Sequence, residues 1–500
     1  MSSRWVDVVV VGNGVLGLST AVRLAGRDPG VRVAVVGPAG RDRGASVAAG
    51  AMLNCFGEVT TDTGAHPAGR ARFFIARQAL DEWPGWLDAL VELAGPEAAA
   101  VRETSVAGTV VVLSGRSGRV ATANFAAIEA ALVEHGEPHE SVAVEDVAGL
   151  TPEFGAHPSR AVHLPREGAV DARAVMAALE AAARRLGVDI VDAIVRELLV
   201  DAGKVRGVRL TDGETIAAGT AVLAAGSASG ALAQAVLPPG AVPPVLHGTG
   251  LALLVEPPPS GPRHVLRTPN RAGSCGLHLV PATDPLYAGA TNIITPDPAP
   301  GPDIGSSQTL LRMLCEQFDH HLADCHVHRW LCGARPVTAD GFPLIGGCSI
   351  DGLVLATGTH RDGFHCSPVI STHIADIVLG DSTDDRFDRF APERPPIEAM
   401  PLEQAITEAI DHETDAHYEY GLTLPYWLDE DEVRAHIRQR VRRVYEHLDT
   451  ALLPETVCIT RAAVDPARED LLDTYLRAAR AYHADCKDHT DTATQERDSR

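Results

Sequence analysis

The first apolar run of the chain, residues 8–11, is valine at every position with no polar alternation, the pattern of a parallel strand covered on both faces. It stops at Gly12. Leu16, Ser19, Thr20, Val22, Arg23 and Leu24 then recur at helical spacing, and residues 31–36 give a second buried strand, so strand, helix and strand follow within about thirty residues, the length of one βαβ unit. Residues 71–93 predict a long amphipathic helix carrying Trp83 and Trp86, broken near Pro84 because proline removes a helical hydrogen bond. A strand at 103–113 opens a second sheet. An alanine-rich helix at 174–186 precedes strands at 189–191, 194–201 and 205–211, the last two joined by a turn at Ala202-Gly203-Lys204. Residues 220–226 form another buried strand ending in small residues, which returns the chain to the first sheet.

Strands at 249–255, 276–280 and 286–290, separated by proline-rich loops, predict an antiparallel sheet that walls a pocket. Beyond Phe390 the character changes to helices at 402–410, 430–448 and 466–484, and six of the seven tyrosines lie there. The face made by Val433, Ile437, Val441, Val444 and Leu448 must be covered, by the body of the protein or by a second subunit, which makes a homodimer through this segment an expectation. Tyr418, Tyr420, Tyr426 and Trp427 are expected in its core, and the polar residues from 487 to 500 are expected to lack structure.

Gly12, Gly14 and Gly17 have the G-x-G-x-x-G spacing directly after a strand and at the start of a helix. One glycine makes the tight turn, one lets a pyrophosphate approach the backbone, and one lets helix press on strand, with the helix N-terminus facing the phosphates. The acidic residue that usually takes the ribose hydroxyls is replaced by Gly37, leaving Asp42 on the next loop, or backbone and water, for that role. The small residues at 44–53 either let a ligand come close or let a helix pack on the sheet.

Five hundred residues, 45% of them apolar, suggest two or three domains. A formal net charge of −23 speaks against nucleic-acid and anionic-membrane surfaces. Lysine occurs only as Lys204 and Lys487, which disfavours Schiff-base chemistry. The chain enters its first strand at once, no apolar run approaches a membrane span, and the nine cysteines form no C-x-x-C pair, all of which predicts a reduced, cytoplasmic protein. His320, His321, Cys325, His326 and His328 are the best metal-like cluster, but they fall where a helix end runs into a strand with a wet face, and no metal is expected.

The stretches GARPVTADGFPLIGG at 333–347 and GLVLATGTHRDGFHCSPVISTHIADIVLG at 352–380 resemble the flavin-dependent amine and amino-acid oxidoreductases of the D-amino-acid oxidase family, the glycine-oxidase-like members above all. The N-terminal glycines, Ala45-Ser46 through Met52-Leu53, the turn at 168–171 and Ala224-Ala225-Gly226 share the resemblance, which covers residues 5–385. It implies an α/β fold: a Rossmann-type FAD-binding domain (1–100, 150–232 and 328–389), an antiparallel-sheet substrate domain (101–149 and 233–327), and a C-terminal helical extension (390–486) that the family does not explain. FAD would be held non-covalently, since Cys332 lies one residue from the position where relatives attach the ring. The implied cofactor contacts are Gly12, Gly14, Val15, Leu16 and Gly17; Ser46, Ala48 and Met52; Val195 and Gly226; and Arg335, Gly358, Arg361, Asp362, Gly363 and Phe364.

Arg335 would bind a substrate carboxylate, Arg361 would stand beside the flavin ring, His278 would face the substrate, and His360, a further catalytic candidate, takes the place of an aromatic residue next to Arg361. The implied reaction is hydride transfer from the α-carbon of a small amino acid or amine to flavin N5, giving an imine and, with O₂ rather than another acceptor, hydrogen peroxide. A flavin dehydrogenase of a 2-hydroxy acid or polyol and a non-catalytic flavin-fold interaction protein are the alternatives. The departures from the family are Gly37, Ala228 in place of a tryptophan, the order Gly50-Ala51, and the lack of a lysine for activating oxygen.

Overall fold

The structure, a computed structural model, describes residues 4–41, 43–273, 275–282, 284–419, 421–458 and 466–498, with side chains as far as Cys486. Arg4–Val11 pairs in parallel with Val33–Val36 on one side and Thr215–Leu223 on the other. The sheet extends in parallel to Asp189–Val191 at one end and Leu353–Thr357 at the other. Leu344–Gly347 and the hairpin Val195–Asp201/Lys204–Leu210 complete eight strands. Val8 and Val10 pack under the helices Val15–Arg27, Pro67–Ala94, Ala172–Arg185 and Ser367–Leu379, whereas Val9 and Val11 pack with Leu198, Val208 and Leu210 of the hairpin on the opposite face. Both faces are covered, which is why the run carries no polar alternation.

The second sheet has ten strands. Its spine is Val245–Val255, paired with Val327–Thr338 on one edge and with Leu286–Gly289 and Ile293–Thr295 on the other. His278–Val280, Val265–Arg267, Val106–Leu113, Arg160–Ala169 and Met52–Leu53 follow across the sheet. Every pairing is antiparallel except that of Val265–Arg267 with Val106–Leu113. Met52–Leu53, Arg160–Ala169 and Val327–Thr338, which the sequence groups with the nucleotide-binding segments, hydrogen-bond into this sheet. The chain therefore crosses repeatedly between the sheets, and the crossings frame the site described below.

Contrary to the expectation of a break near Pro84, the helix Pro67–Ala94 is continuous. Trp83 and Trp86 flank the proline and are 1% and 3% exposed, and Trp83 Nε1 donates to the His365 carbonyl at 2.6 Å. Burial of two indoles outweighs the roughly 3 kcal/mol that an interior proline costs.

The C-terminal helices Leu402–Glu419, Glu430–Leu448, Pro454–Val457 and Pro466–Asp498 share a core of Ile406, Ile410, Ile437, Val441, Tyr445, Leu472 and Leu476, into which Ala339 of the body also packs. The last helix continues past residue 487 to Asp498, where the polar composition predicts loss of structure. Tyr426 and Trp427 correct the expectation that they are core: they are 97% and 74% exposed, in the connection between two helices, and pack edge-to-face on each other at 5.1 Å. Tyr418 is also exposed, and Tyr420 lies outside the described residues. No described helix is long and apolar enough to cross a membrane.

The extension rests on the body of its own chain. Asp415 Oδ2 accepts from the Val120 N–H at 2.7 Å, at the start of the helix Arg119–Glu134, and Gly273 N donates to His412 Nδ1 at 2.9 Å. The deepest tie is Arg394 to Asp340, 3.0 Å apart with side chains 8% and 0% exposed; Asp340 also accepts from the Ile397 and Phe342 N–H groups. Removing one partner of a buried pair strands the other charge. Arg394→Leu is therefore expected to cost about 3 kcal/mol, measured as a lowered denaturation midpoint with an unchanged denaturant slope.

Candidate active site

At Gly12 the first strand turns with φ +114, and a Cβ there would lie 2.3 Å from the Ala224 carbonyl oxygen. A Cβ on Gly17 would lie 1.9 Å from the Gly12 carbonyl oxygen, so helix and strand touch backbone to backbone. Gly14 caps the helix Val15–Arg27 without a side chain, leaving its first N–H groups to other acceptors; Val15 N donates to Ser46 Oγ at 3.0 Å.

These groups open on a cavity of about 460 Å³. Gly12, Gly14, Val15, Leu16, Ser46, Ala48, Met52, Val195, Gly226, Arg335, Arg361, Asp362, Gly363 and Phe364 all line it, as do His278 and His360. Gly17 and Gly358 are absent from the wall and stand behind it: Gly17 supports the Gly12 turn, and Gly358 (φ +72) bends the chain against Thr338. Residues 44–51 form irregular chain along this wall and Met52–Leu53 a short strand, rather than a helix packed on the sheet. The donors at the helix N-terminus and the side-chain-free turn fit a pyrophosphate, and the glycine turn and Arg335 line one and the same cavity.

The departures from the expected pattern have local causes. A Cβ at Gly37 would fall 2.5 Å from Asn13 Cγ, so Asn13, whose amide donates to the Pro38 carbonyl at 2.9 Å, fills the space of the usual acidic side chain. Arg41 stands beside it, donates to the Asn13 carbonyl and pairs with Glu180; Asp42 lies outside the described residues. Gly50 makes room for Tyr287, whose ring would be 2.9 Å from a Cβ there, while Ala51 takes the left-handed φ of 46°. Cys332 does not line the cavity, and Ala228 does.

The turn at 358–364 is braced from below. Phe364 stacks on Trp83 at 6.1 Å, and Asp362 pairs with Arg72 at 2.5 Å. His360 sits at φ 50, an unusual conformation for a non-glycine residue, held by its N–H to the Pro336 carbonyl at 2.8 Å. Arg335 projects from Val327–Thr338 over Gly250, where any side chain would meet its guanidinium at 2.3 Å. Its Nη1 donates to Thr291 O and Asn292 Oδ1 at 3.0 and 3.3 Å.

Burial, reinforced by the Arg267 charge, holds the His278 ring down to about 3, so it is neutral. Nδ1 donates to the Gly276 carbonyl at 3.1 Å, which leaves Nε2 as an acceptor; the ring stacks on Tyr287 at 5.6 Å. Burial and then Arg361 hold His360 well below its ordinary range. Burial opposes the charge on Arg361, but Glu455 and Glu58 more than restore it; Glu58 itself, penalised by burial, is brought down to about 2 by Arg267 and Arg361. The guanidinium groups of Arg335 and Arg361 thus share one cavity with the neutral imidazoles of His278 and His360.

Sequence reasoning missed Tyr287, Gly250, Asn292 and Glu455. Tyr287 is the one tyrosine outside the extension, a signal that was available; Glu455 carried none. Asp319, His320 and His321 bring possible ligand atoms within 4.8 Å of one another, but Asp319 Oδ1 already accepts from the Thr151 hydroxyl and the His321 N–H.

The model of one protein family, FAD dependent oxidoreductase, matches residues 7–377. The bifunctional protein ThiO/ThiG of Nostoc sp. (strain PCC 7120) is 28% identical over 404 residues, 77% of this chain and 54% of that protein, so the chain spans about half the length of this relative. Glycine oxidase of Geobacillus kaustophilus is 28% identical over 393 residues, 76% of this chain and 94% of the relative. The solved structure of glycine oxidase from Geobacillus kaustophilus superposes with a TM-score of 0.64 at 23% identity, covering 78% of this chain and 99% of that one, a likeness of fold.

If Asn13 excludes a side chain at position 37, restoring an acid there will hurt. Gly37→Glu is expected to weaken FAD retention about tenfold, as a clash of roughly 1–3 kcal/mol implies, and Asn13→Gly in the same chain should recover it; flavin absorbance after gel filtration reads both.

Proposed function

Because this chain belongs to the family of FAD-dependent oxidoreductases, we propose that it oxidises a small amino acid or amine at the carbon bearing the nitrogen, with FAD held non-covalently and O₂ as the electron acceptor. Bound FAD would supply the two-electron acceptor, and the imine left behind would be hydrolysed by water. The observation that carries the reading is the set of side chains that shares the cavity with the glycine turn: Arg335, Arg361, His278, His360 and Tyr287.

Arg335 offers a planar fork to a carboxylate and is held in place by Thr291 O and Asn292, so it fixes the orientation of the substrate rather than searching for it. Burial beside two cations disfavours an ammonium, so the amine is bound with its lone pair free. His278 Nε2, an acceptor, can take a hydrogen bond from that amine. Tyr287, whose hydroxyl donates to the Ala48 carbonyl at 3.1 Å, is pushed up by burial and stays protonated, so it offers no base. No protein base is required if the amine arrives neutral.

The holoprotein should be yellow and should bleach anaerobically with glycine or an N-substituted glycine; bleaching by 2-hydroxy acids and by no amine would defeat the proposal. Arg335→Lys loses the bidentate geometry and should lower kcat/KM about a hundredfold, chiefly through KM. His278, at about 3, is deprotonated across pH 5–9, and burial holds His360 well below its ordinary value, so neither gives a limb above neutral pH. kcat/KM should therefore rise with pH as the substrate ammonium loses its proton, the midpoint following the amine's own pKa from one substrate to the next and surviving in His278→Gln.

A further inference from the structure

A second cavity, of about 180 Å³, adjoins the first, and Asn54, Glu58, Arg361 and Asp362 line both. Its opposite wall comes from the extension: Ala399, Glu408, His412, Leu453, Pro454 and Glu455, all beyond the residues that the family model matches. Glu408 and His412 lie one turn apart on the helix Leu402–Glu419 and so share a face. His412 Nδ1 accepts from Gly273 N, and burial lowers its pKa, so it is neutral.

The charges around this chamber do not all cancel. Asp362 is paired with Arg72, and Glu58 with Arg267. Asp62 and Glu408 have no ion pair among the described residues; instead they face each other, and burial followed by the Asp62 charge pushes the Glu408 carboxyl up to about 8. Among the described residues Glu455 has no arginine within pairing distance; it accepts from Asn292 Nδ2 at 2.8 Å and stands 3.8 Å from the neutral His360. Arg361 Nε and Nη1, buried on the shared wall, have no acceptor among the described residues. One boundary thus presents a cation lacking acceptors, and the far wall presents carboxylates lacking cations.

The geometry points to a subsite for the distal, cationic end of the substrate: the carboxylate lies toward Arg335 and Arg361, and a second, positively charged nitrogen reaches Asp62, Glu408 and Glu455. The substrate class is then an amino acid carrying a basic side chain or a basic N-substituent. A cation placed between Asp62 and Glu408 removes their mutual repulsion and lets both ionise, an interaction that an uncharged side chain of equal length cannot make. This rests on the reading that the larger cavity oxidises an amino acid or amine, and it explains what the extension adds to that cavity.

The test uses the full-length holoprotein and compares kcat/KM for lysine, ornithine and 2,4-diaminobutyrate with that for norleucine, norvaline and glycine. A preference for basic substrates of at least about thirtyfold is expected, as for a partly desolvated ion pair. In Asp62→Asn and Glu408→Gln, which keep shape and remove charge, the ratio of basic to neutral substrate should fall at least tenfold. FAD content and thermal midpoint identify any variant that is misfolded, and either variant alone suffices. Efficient turnover of neutral amino acids with no basic preference, or a basic preference unchanged in both variants, overturns the subsite and leaves the proposed oxidation standing. Failure of every amine and amino acid to reduce the flavin overturns the proposed oxidation, and the subsite with it.

Discussion

Where Gly12 turns, three stretches of backbone meet more closely than any side chain permits: the end of the first strand, the start of its helix, and the end of Thr215–Leu223. Parallel strands bring their carboxyl ends to one edge of a sheet. Leu353–Thr357 runs in the same direction, so the turn that follows it, bearing His360 to Phe364, arrives at the edge where the helix N-terminus opens. Residues 12 and 361 thus line one cavity, and the bare glycine turn is what leaves that edge free for phosphates.

The second sheet adds the groups that the first cannot. A doubly covered parallel sheet is apolar along its strands and offers chemistry only at its ends. The antiparallel strands turn one face toward the cavity, so Arg335, His278 and Tyr287 reach the site from three strands of one sheet. Burial then sorts the protonation states: His278, His360 and the Tyr287 phenol are held neutral, whereas Arg361 and Glu58 keep their charges. The proposed oxidation draws on the guanidinium groups for the substrate carboxylate and on the lone pair of the substrate nitrogen itself.

Much of this was legible in the sequence because it is written in local backbone demands. The valine run, the glycine spacing and the small-residue strand ends each report a steric condition met within a few residues, and the arginine-bearing turns stand out by their composition. What was not legible depends on distant contacts. Pro84 is tolerated because Trp83 and Trp86 are anchored by partners far along the chain, and Gly37 makes sense only with Asn13 folded against it. The strands Met52–Leu53, Arg160–Ala169 and Val327–Thr338 were grouped with their sequence neighbours, whereas hydrogen bonding puts them across the domain division. Tyr426 and Trp427 read as core by residue type alone, and their place in a connection overrides it.

The extension shows why an added module can alter a site without touching its chemistry. Its anchor, Arg394 on Asp340, lies in the same Asp-Gly-x-Pro stretch that follows Arg335 by a few residues, and its short helix Pro454–Val457 delivers Glu455 to Asn292, the residue that also holds Arg335. Anchor and reach act on two segments that meet at Arg335, its own strand with the turn that follows and the loop bearing Asn292, so loosening the extension disturbs the support of the arginine. An exposed carboxylate on a mobile tail would be screened within a Debye length. Held by a buried ion pair and a packed helical core, Glu455 instead acts on Arg361 through protein, where charge is felt strongly. The stability of the extension and the electrostatics of the site are for that reason one property of the chain.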